Sequence, residues 1–415
     1  MSLSELSNDN IKFFLRIFNE FKTEENSKTK VIFESIYKDI LKSHTDINLL
    51  RKNGEIKFDF KETTRIPDTE LLDSSFIPKK IKLEIQKKTK GLMIANVSML
   101  NINVRVNLLL LNEKDFNRMK YLEKKIIYAL KMIYFCLMFK NNNVLKKLSV
   151  NLYLTGEKKL IPENKLVTLG PNESNTAVTY ACTENGSILI FREEEWEKVL
   201  LHELFHSLCL DFAVEKYKML RKEIKQLYDI NSDFEISETY TEFWATITNS
   251  CFVSYDLLED KKNIDNYILF VNFFIHLEKV FAIFQCVKIL DYMGLRYINL
   301  ISKKEIDKGF RELLYKESTN IFAYYILKMV LLYNVDDFLL WCKKVNVNIL
   351  SFDKTPQNFT KFLKFIKSRY KTVEFLKDIE KMDLFYNTFM KGYKGTDKER
   401  LIKTMRMTMI ELKLK

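Results

Sequence analysis

His202-Glu203-Leu204-Phe205-His206 decides how this chain is read, because it holds two of only four histidines among 415 residues. On a helix, side chains at i and i+4 project from the same face, so both imidazoles can reach one metal ion. Glu203, one residue after the first histidine, then faces a water carried by that ion. The spacing predicts a zinc site with His202 and His206 as ligands and Glu203 as general base.

The surrounding sequence reads as a buried helix. Acidic residues from Glu194 onward precede Val199-Leu200-Leu201, and neither Gly nor Pro interrupts the run before Asp211. Val199, His202, His206 and Cys209 share one stripe, while Leu201, Leu204, Phe205 and Leu208 make the remaining surface apolar. A buried helix must satisfy two histidines and a glutamate, and a divalent metal with its water does so more fully than packing alone. The bland alternative is a core helix whose histidines only hydrogen-bond their neighbours.

Upstream, residues 177–182 alternate small and β-prone side chains, Thr183-Glu184-Asn185-Gly186 carries an Asn-Gly turn signal, and residues 187–191 form a second strand candidate. A hairpin is therefore expected to feed the helix. Residues 187–191 are expected at a sheet edge, where an extended peptide adds as a further strand.

A catalytic zinc site takes three protein ligands and keeps a position for water. His44 and His276 are remote in sequence, so a carboxylate is expected as the third ligand. Ser237 reads as the N-cap of a helix on which Glu238 and Glu242 lie four apart on one face. One can bind the metal while the other accepts a hydrogen bond from a ligand histidine. Tyr240 and Tyr228 are candidate donors to the oxyanion of a hydrolytic reaction.

The motif followed by Glu238-xxx-Glu242 resembles the gluzincin group of zinc metallopeptidases, whose second helix carries Glu-xxx-Asp or Glu-xxx-Glu. The resemblance implies zinc ligation by His202, His206 and Glu238, a base role for Glu203 and a supporting role for Glu242 behind a histidine. The separation from His206 is longer than in thermolysin-like enzymes, which leaves Glu238 and Glu242 both open as the ligand. The metzincin pattern fails, because Cys209 and Phe212 stand where it requires Gly and His. The runs at 191–198 and 238–245 are also similar to uncharacterised proteins of large DNA viruses, and a Lys-, Asn- and Ile-rich composition suits an AT-rich genome. A viral source would imply the host cytoplasm or the virion.

With 47% hydrophobic residues, 9 Gly and 5 Pro, the chain can bury a large core and has little linker composition. Six cysteines are dispersed without CxxC pairs, and the N-terminus lacks the basic and apolar blocks of a signal peptide, so an intracellular, reducing location is the expectation. The most apolar stretches, 267–275 and 280–289, are split by His276, Glu278 and Lys279 and read as core helices without a membrane span. The net charge of +12 raises nucleic acid as a partner. The lysines are scattered (Lys79-Lys80, Lys87-Lys88, Lys146-Lys147, Lys303-Lys304, the tail from Lys398 to Lys415), and solvated faces are favoured unless they share one side.

The expected organisation is α+β. A helical segment at 1–75 holds helices at 11–21 and 30–42, then a polar stretch with Pro67 and Asp68. A zincin-like catalytic domain at 76–255 combines a twisted mixed sheet with the active-site helix. Its strands are read from period-two alternation at 81–85, 93–97, 102–108 and 150–154, with an amphipathic helix at 114–140. A wholly helical domain at 256–415 follows, with helices at 263–294, 304–315, 319–347 interrupted near Asn334, 358–368 and 372–391. The functional expectation is a zinc peptidase acting on a peptide or protein substrate. The rival is a non-catalytic structural or interaction protein, a virion or scaffold component that keeps the fold. Peptide specificity and oligomeric state leave no trace in this sequence.

Overall fold

The computed structural model describes residues 1–21, 27–67, 69–140, 144–213, 218–392 and 396–414; Asp68 and Lys415 fall outside them. The architecture is α+β: a mixed six-stranded sheet and a helical C-terminal part. In spatial order the strands are Lys57–Glu62, Gly91–Met99, Ile102–Leu110, Lys147–Thr155, Asn185–Arg192 and Ala177–Thr179. The first three pair antiparallel, the next two join in parallel, and the short last strand closes the sheet antiparallel.

Period-two alternation placed three of the strands. Met93, Ala95, Val97, Val104, Val106, Leu108, Val150 and Leu152 are all buried on one face, under the helices Met119–Leu137 and Trp196–Ser207. Residues 81–85, read as a strand, belong instead to the helix Lys79–Lys88. Ile81 and Ile85 lie one helical turn apart and are buried, while Leu83 between them is 43% exposed. A run this short with apolar residues at i, i+2 and i+4 fits both periods, and only the i, i+4 pair is used.

The sheet also draws on the opening segment, expected to be helical. Lys57–Glu62 (KFDFKE) is an edge strand whose alternation, Phe58 and Phe60 against Lys57, Asp59 and Lys61, is short, and of the two phenylalanines only Phe58 is half-buried against the core. The opening helices run Glu5–Phe14 and Ser27–Lys52 rather than 11–21 and 30–42. Ser27–Lys52 packs on Met119–Leu137, Ser237–Leu257 and Ile264–Tyr292. One hydrophobic cluster extends from Phe13 to Leu414, so the opening and closing segments share their core with the central lobe.

After residue 255 the helices are Ile264–Tyr292, Glu305–Leu314, a π-helical stretch Phe322–Leu327 continued by Lys328–Tyr333, Val335–Val345, Pro356–Arg369 and Val373–Gly392, with shorter ones between and after them. This part is not wholly helical. Beyond Lys403 the chain leaves helix and passes buried through the core, and Leu412–Lys413 pairs with Ser2–Leu3. Ile264–Tyr292 is long and apolar enough to cross a membrane, and 78% of its most apolar window is buried inside the fold.

Candidate metal centre

The helix Trp196–Ser207 is buried along its whole length, wedged between strand Asn185–Arg192 and helices Met119–Leu137 and Ser237–Leu257. Its two ends are fixed by different devices. Before the first turn, Glu195 takes a left-handed conformation (φ 60°), so Glu194 and Glu195 do not sit in the first turn as expected. The Glu195 carboxylate accepts the backbone N–H groups of Met407 at 2.7 Å and Thr408 at 2.5 Å and pairs with buried Lys159. Burial works against that charge, but Lys159, Arg406 and Lys198 overcome it and hold the pKa down to about 2.

At the other end, the Asn-Gly pair is not the hairpin turn. Asn185 and Gly186 are the first residues of their strand, and the turn lies at 180–184. Gly186 is needed for close approach: a Cβ there would meet Ser207 Oγ at 2.7 Å and Leu145 Cδ1 at 2.9 Å. The hairpin turn also meets the helix end through a Cys182–Cys209 disulfide and the Cys182 N–H, which donates to His206 O at 3.2 Å. Six cysteines that are dispersed in sequence thus include one joined pair, and the other four are buried thiols.

Glu238 and Glu242 lie on helix Ser237–Leu257, whose N-cap position is Ile236 rather than Ser237 and has no side-chain cap. Its crossing over the motif helix brings three ligand atoms together. His202 Nε2 is 3.1 Å from Glu238 Oε2 and 3.1 Å from His206 Nε2, and His206 Nε2 is 3.4 Å from Glu238 Oε2. A tetrahedral zinc with ligand bonds near 2.0–2.1 Å has edges of about 3.3 Å.

The outward nitrogens are held as well. His202 Nδ1 is 2.9 Å from Glu242 Oε2, and His206 Nδ1 is 2.5 Å from Asp211 Oδ2, which also accepts the Thr241 hydroxyl at 2.8 Å. With Nδ1 of each ring donating to a carboxylate, each neutral imidazole turns the Nε2 lone pair inward. Two lone pairs and one carboxylate oxygen therefore converge with no proton of their own, an arrangement that a cation satisfies. The electrostatics agree. Burial opposes charge on both rings, yet Glu238 and Glu242 raise the pKa of His202, and Asp211 and Glu238 raise that of His206 well above its usual value. Burial likewise opposes ionisation of Glu238, and the two imidazoles outweigh it, keeping the carboxyl well below the usual range. The cluster draws positive charge, and among the described residues no other group of three His, Cys, Asp or Glu is placed to hold a metal.

The remaining expected residues divide. Glu203 lines the same cavity of 250 Å³, and burial raises its pKa. Tyr240 and Tyr228 do not reach it. Tyr240 is fully buried, donating to Leu350 O at 2.9 Å and accepting from Asn346, and Tyr228 Oη lies 3.0 Å from Tyr297 Oη in a separate aromatic cluster. Glu238 and Tyr240 are two residues apart on a helix, and so point about 200° apart around its axis.

Three residues that the sequence does not announce complete the site. Asp211 orients His206 from the loop just after the helix. Lys198, one turn before His202, pairs with Glu242 and lines the cavity. Tyr324 lies on the π-helical stretch, its ring centroid 6.0 Å from that of His202. Burial and the negative charges of Glu238, Glu203 and Glu242 keep its hydroxyl protonated. One wall of the cavity is the short strand Ala177–Thr179, which is the true sheet edge; residues 188–190 are paired on both sides.

No protein-family model, curated protein or solved structure matches this chain, so its function is argued from the site alone.

Proposed function

We propose that the chain is a zinc-dependent peptidase of the gluzincin type, with a zincin-like lobe formed by the sheet, the motif helix and the helix that bears Glu238. The observation that carries this reading is the convergence of His202 Nε2, His206 Nε2 and Glu238 Oε2 within 3.4 Å of one another, beside Glu203 in one cavity. Each histidine is backed by its own carboxylate, as metal-binding imidazoles are.

When bound, zinc supplies Lewis acidity, lowering the pKa of a water and polarising a carbonyl. The chain's own groups do the rest. Glu203, a buried carboxylate with a raised pKa, takes a proton from the attacking water and passes it to the leaving amine. The protonated Tyr324 hydroxyl is the donor for the oxyanion of the addition step. The free edge of Ala177–Thr179 offers backbone groups to an extended peptide, holding the scissile bond against the cavity.

The test is Glu203→Gln assayed against a broad peptide library, with zinc content measured alongside. Retained zinc with cleavage lost by orders of magnitude supports the reading. Undiminished cleavage by the variant rejects Glu203 as base. If the parent protein holds zinc and cleaves no peptide, the non-catalytic structural role takes its place.

A further inference from the structure

The outer face of the sheet changes character along its strands. At one end Leu92, Leu109, Tyr153 and Phe191 are apolar and are capped by Ile81 and Ile85 of helix Lys79–Lys88. Toward the other end, the register aligns Lys57, Asn96, Arg105, Ser149 and Ser187 directly across five strands. The next rung on the same face is Ser98, Asn103, Lys147 and Asn185. All of these side chains are exposed or half-buried, and they border an open trough of 820 Å³. Two consecutive rungs without one apolar outward side chain are not a core face awaiting a helix.

The charge on these two rungs is one-sided, and Asp59, one rung further on, is paired with Lys61. Lys57, Arg105 and Lys147 have no acid within ion-pair distance among the described residues, and Glu55 is the one acid lining the trough. The exposed Lys79 and Lys87 of the capping helix lie on the same side of the sheet, beside Lys80 and Lys88, which are paired with Glu157 and Glu84. Lys147 is on this side too, while its neighbour Lys146 pairs with Glu184, so the fold gathers single cations from three scattered clusters on one side.

We propose that this half-bare sheet face is a binding surface for the phosphate backbone of duplex nucleic acid, independent of base sequence. With strands about 4.8 Å apart, Lys57 and Arg105 stand about 10 Å apart, and Arg105 and Lys147 about 8 Å. A duplex with one charge per about 1.7 Å of axis offers phosphates to all three at once. The Asn and Ser side chains between them supply donors for phosphate and sugar oxygens. Among the described residues no aromatic lines the trough, so single-strand base stacking has no platform there. An acidic peptide is disfavoured because Arg105 and Lys147 lie on strands paired on both sides and offer it no backbone to pair with.

The experiment measures binding of a short labelled DNA duplex of arbitrary sequence to the full-length protein by fluorescence anisotropy, between about 50 and 200 mM salt. The variants are Lys57→Ala/Arg105→Ala/Lys147→Ala and, as a control of equal net charge, Lys303→Ala/Lys304→Ala/Lys308→Ala. The expected result is a tenfold or greater loss in the sheet-face variant, with the slope of log K against log salt reduced by roughly 2.7. The control should lose less than threefold. Equal losses in both variants, no loss in the first, no binding at the lowest salt, or tighter binding of poly-glutamate than of the duplex would each overturn the proposal. Thermal melting of both variants separates lost binding from lost fold. Peptide cleavage plays no part in the readout, so the proposal stands or falls apart from the peptidase reading.

Discussion

Glu242 accepts from His202 Nδ1 through one carboxylate oxygen, 2.9 Å away, while its other oxygen is held by the buried ammonium groups of Lys198 and Lys328. A carboxylate fixed from two sides cannot swing toward the metal position, whereas Glu238 already has an oxygen 3.1 Å from His202 Nε2. In the proposed zinc site the two glutamates left open by the sequence thus take different roles. Glu238→Ala should leave two protein ligands and a site that loses zinc readily. Glu242→Ala should weaken zinc by roughly 10- to 100-fold without abolishing the site. Zinc titration of both variants against a competing chelator gives the order, and a larger loss in the Glu242 variant would reverse the assignment.

Tyr324→Phe should lower kcat by about 10²- to 10³-fold with zinc content unchanged, because it removes the one tyrosine hydroxyl that lines the cavity among the described residues. Tyr240→Phe and Tyr228→Phe should leave kcat where it is. Each should instead cost about 1 kcal/mol of stability through a lost buried hydrogen bond. A fall in kcat for Tyr240→Phe that matches that of Tyr324→Phe would show that the wrong tyrosine has been placed at the site.

Glu195 gives a stability prediction. Its pKa is held down to about 2, so the carboxylate stabilises the fold in full above its ordinary value near 4.5. The unfolded chain takes up the proton first as pH falls, and the contribution disappears between about 4.5 and 2. Glu195→Ala should cost about 3–5 kcal/mol at neutral pH by leaving Lys159 buried without its partner. The variant should also lose part of the parent's acid sensitivity below pH 4.5. Urea denaturation at several pH values reads both effects, and parallel pH profiles for parent and variant would contradict them.

Much of this arrangement could be read from the residues, and what could not has physical reasons. His202, Glu203, His206, Glu238 and Glu242 announce themselves because the proposed metal site, built on two helices, imposes i, i+4 spacing on each. Asp211 and Tyr324 serve the same site from a loop and a π-helical stretch, which impose no period. The strands at 93–97, 102–108 and 150–154 alternate because one face is buried; Lys57–Glu62 alternates as well, Phe58 and Phe60 against Lys57, Asp59 and Lys61, but at the sheet edge its two phenylalanines are half-buried or exposed and the run is short. The sheet edge lies one strand beyond the expected one. Alternation at 177–182 marks a strand but not which strand of the hairpin is outermost, and Asn185-Gly186 mimics a turn while its glycine serves helix contact instead.

The central claim is that His202, His206 and Glu238 form one zinc site, and metal analysis of the purified protein after mild dialysis tests it most directly. The account predicts about one zinc per chain in the parent protein and a loss of that zinc in both His202→Ala and His206→Ala. A metal content left unchanged by either substitution, or a parent protein that binds no zinc when it is supplied, would contradict it.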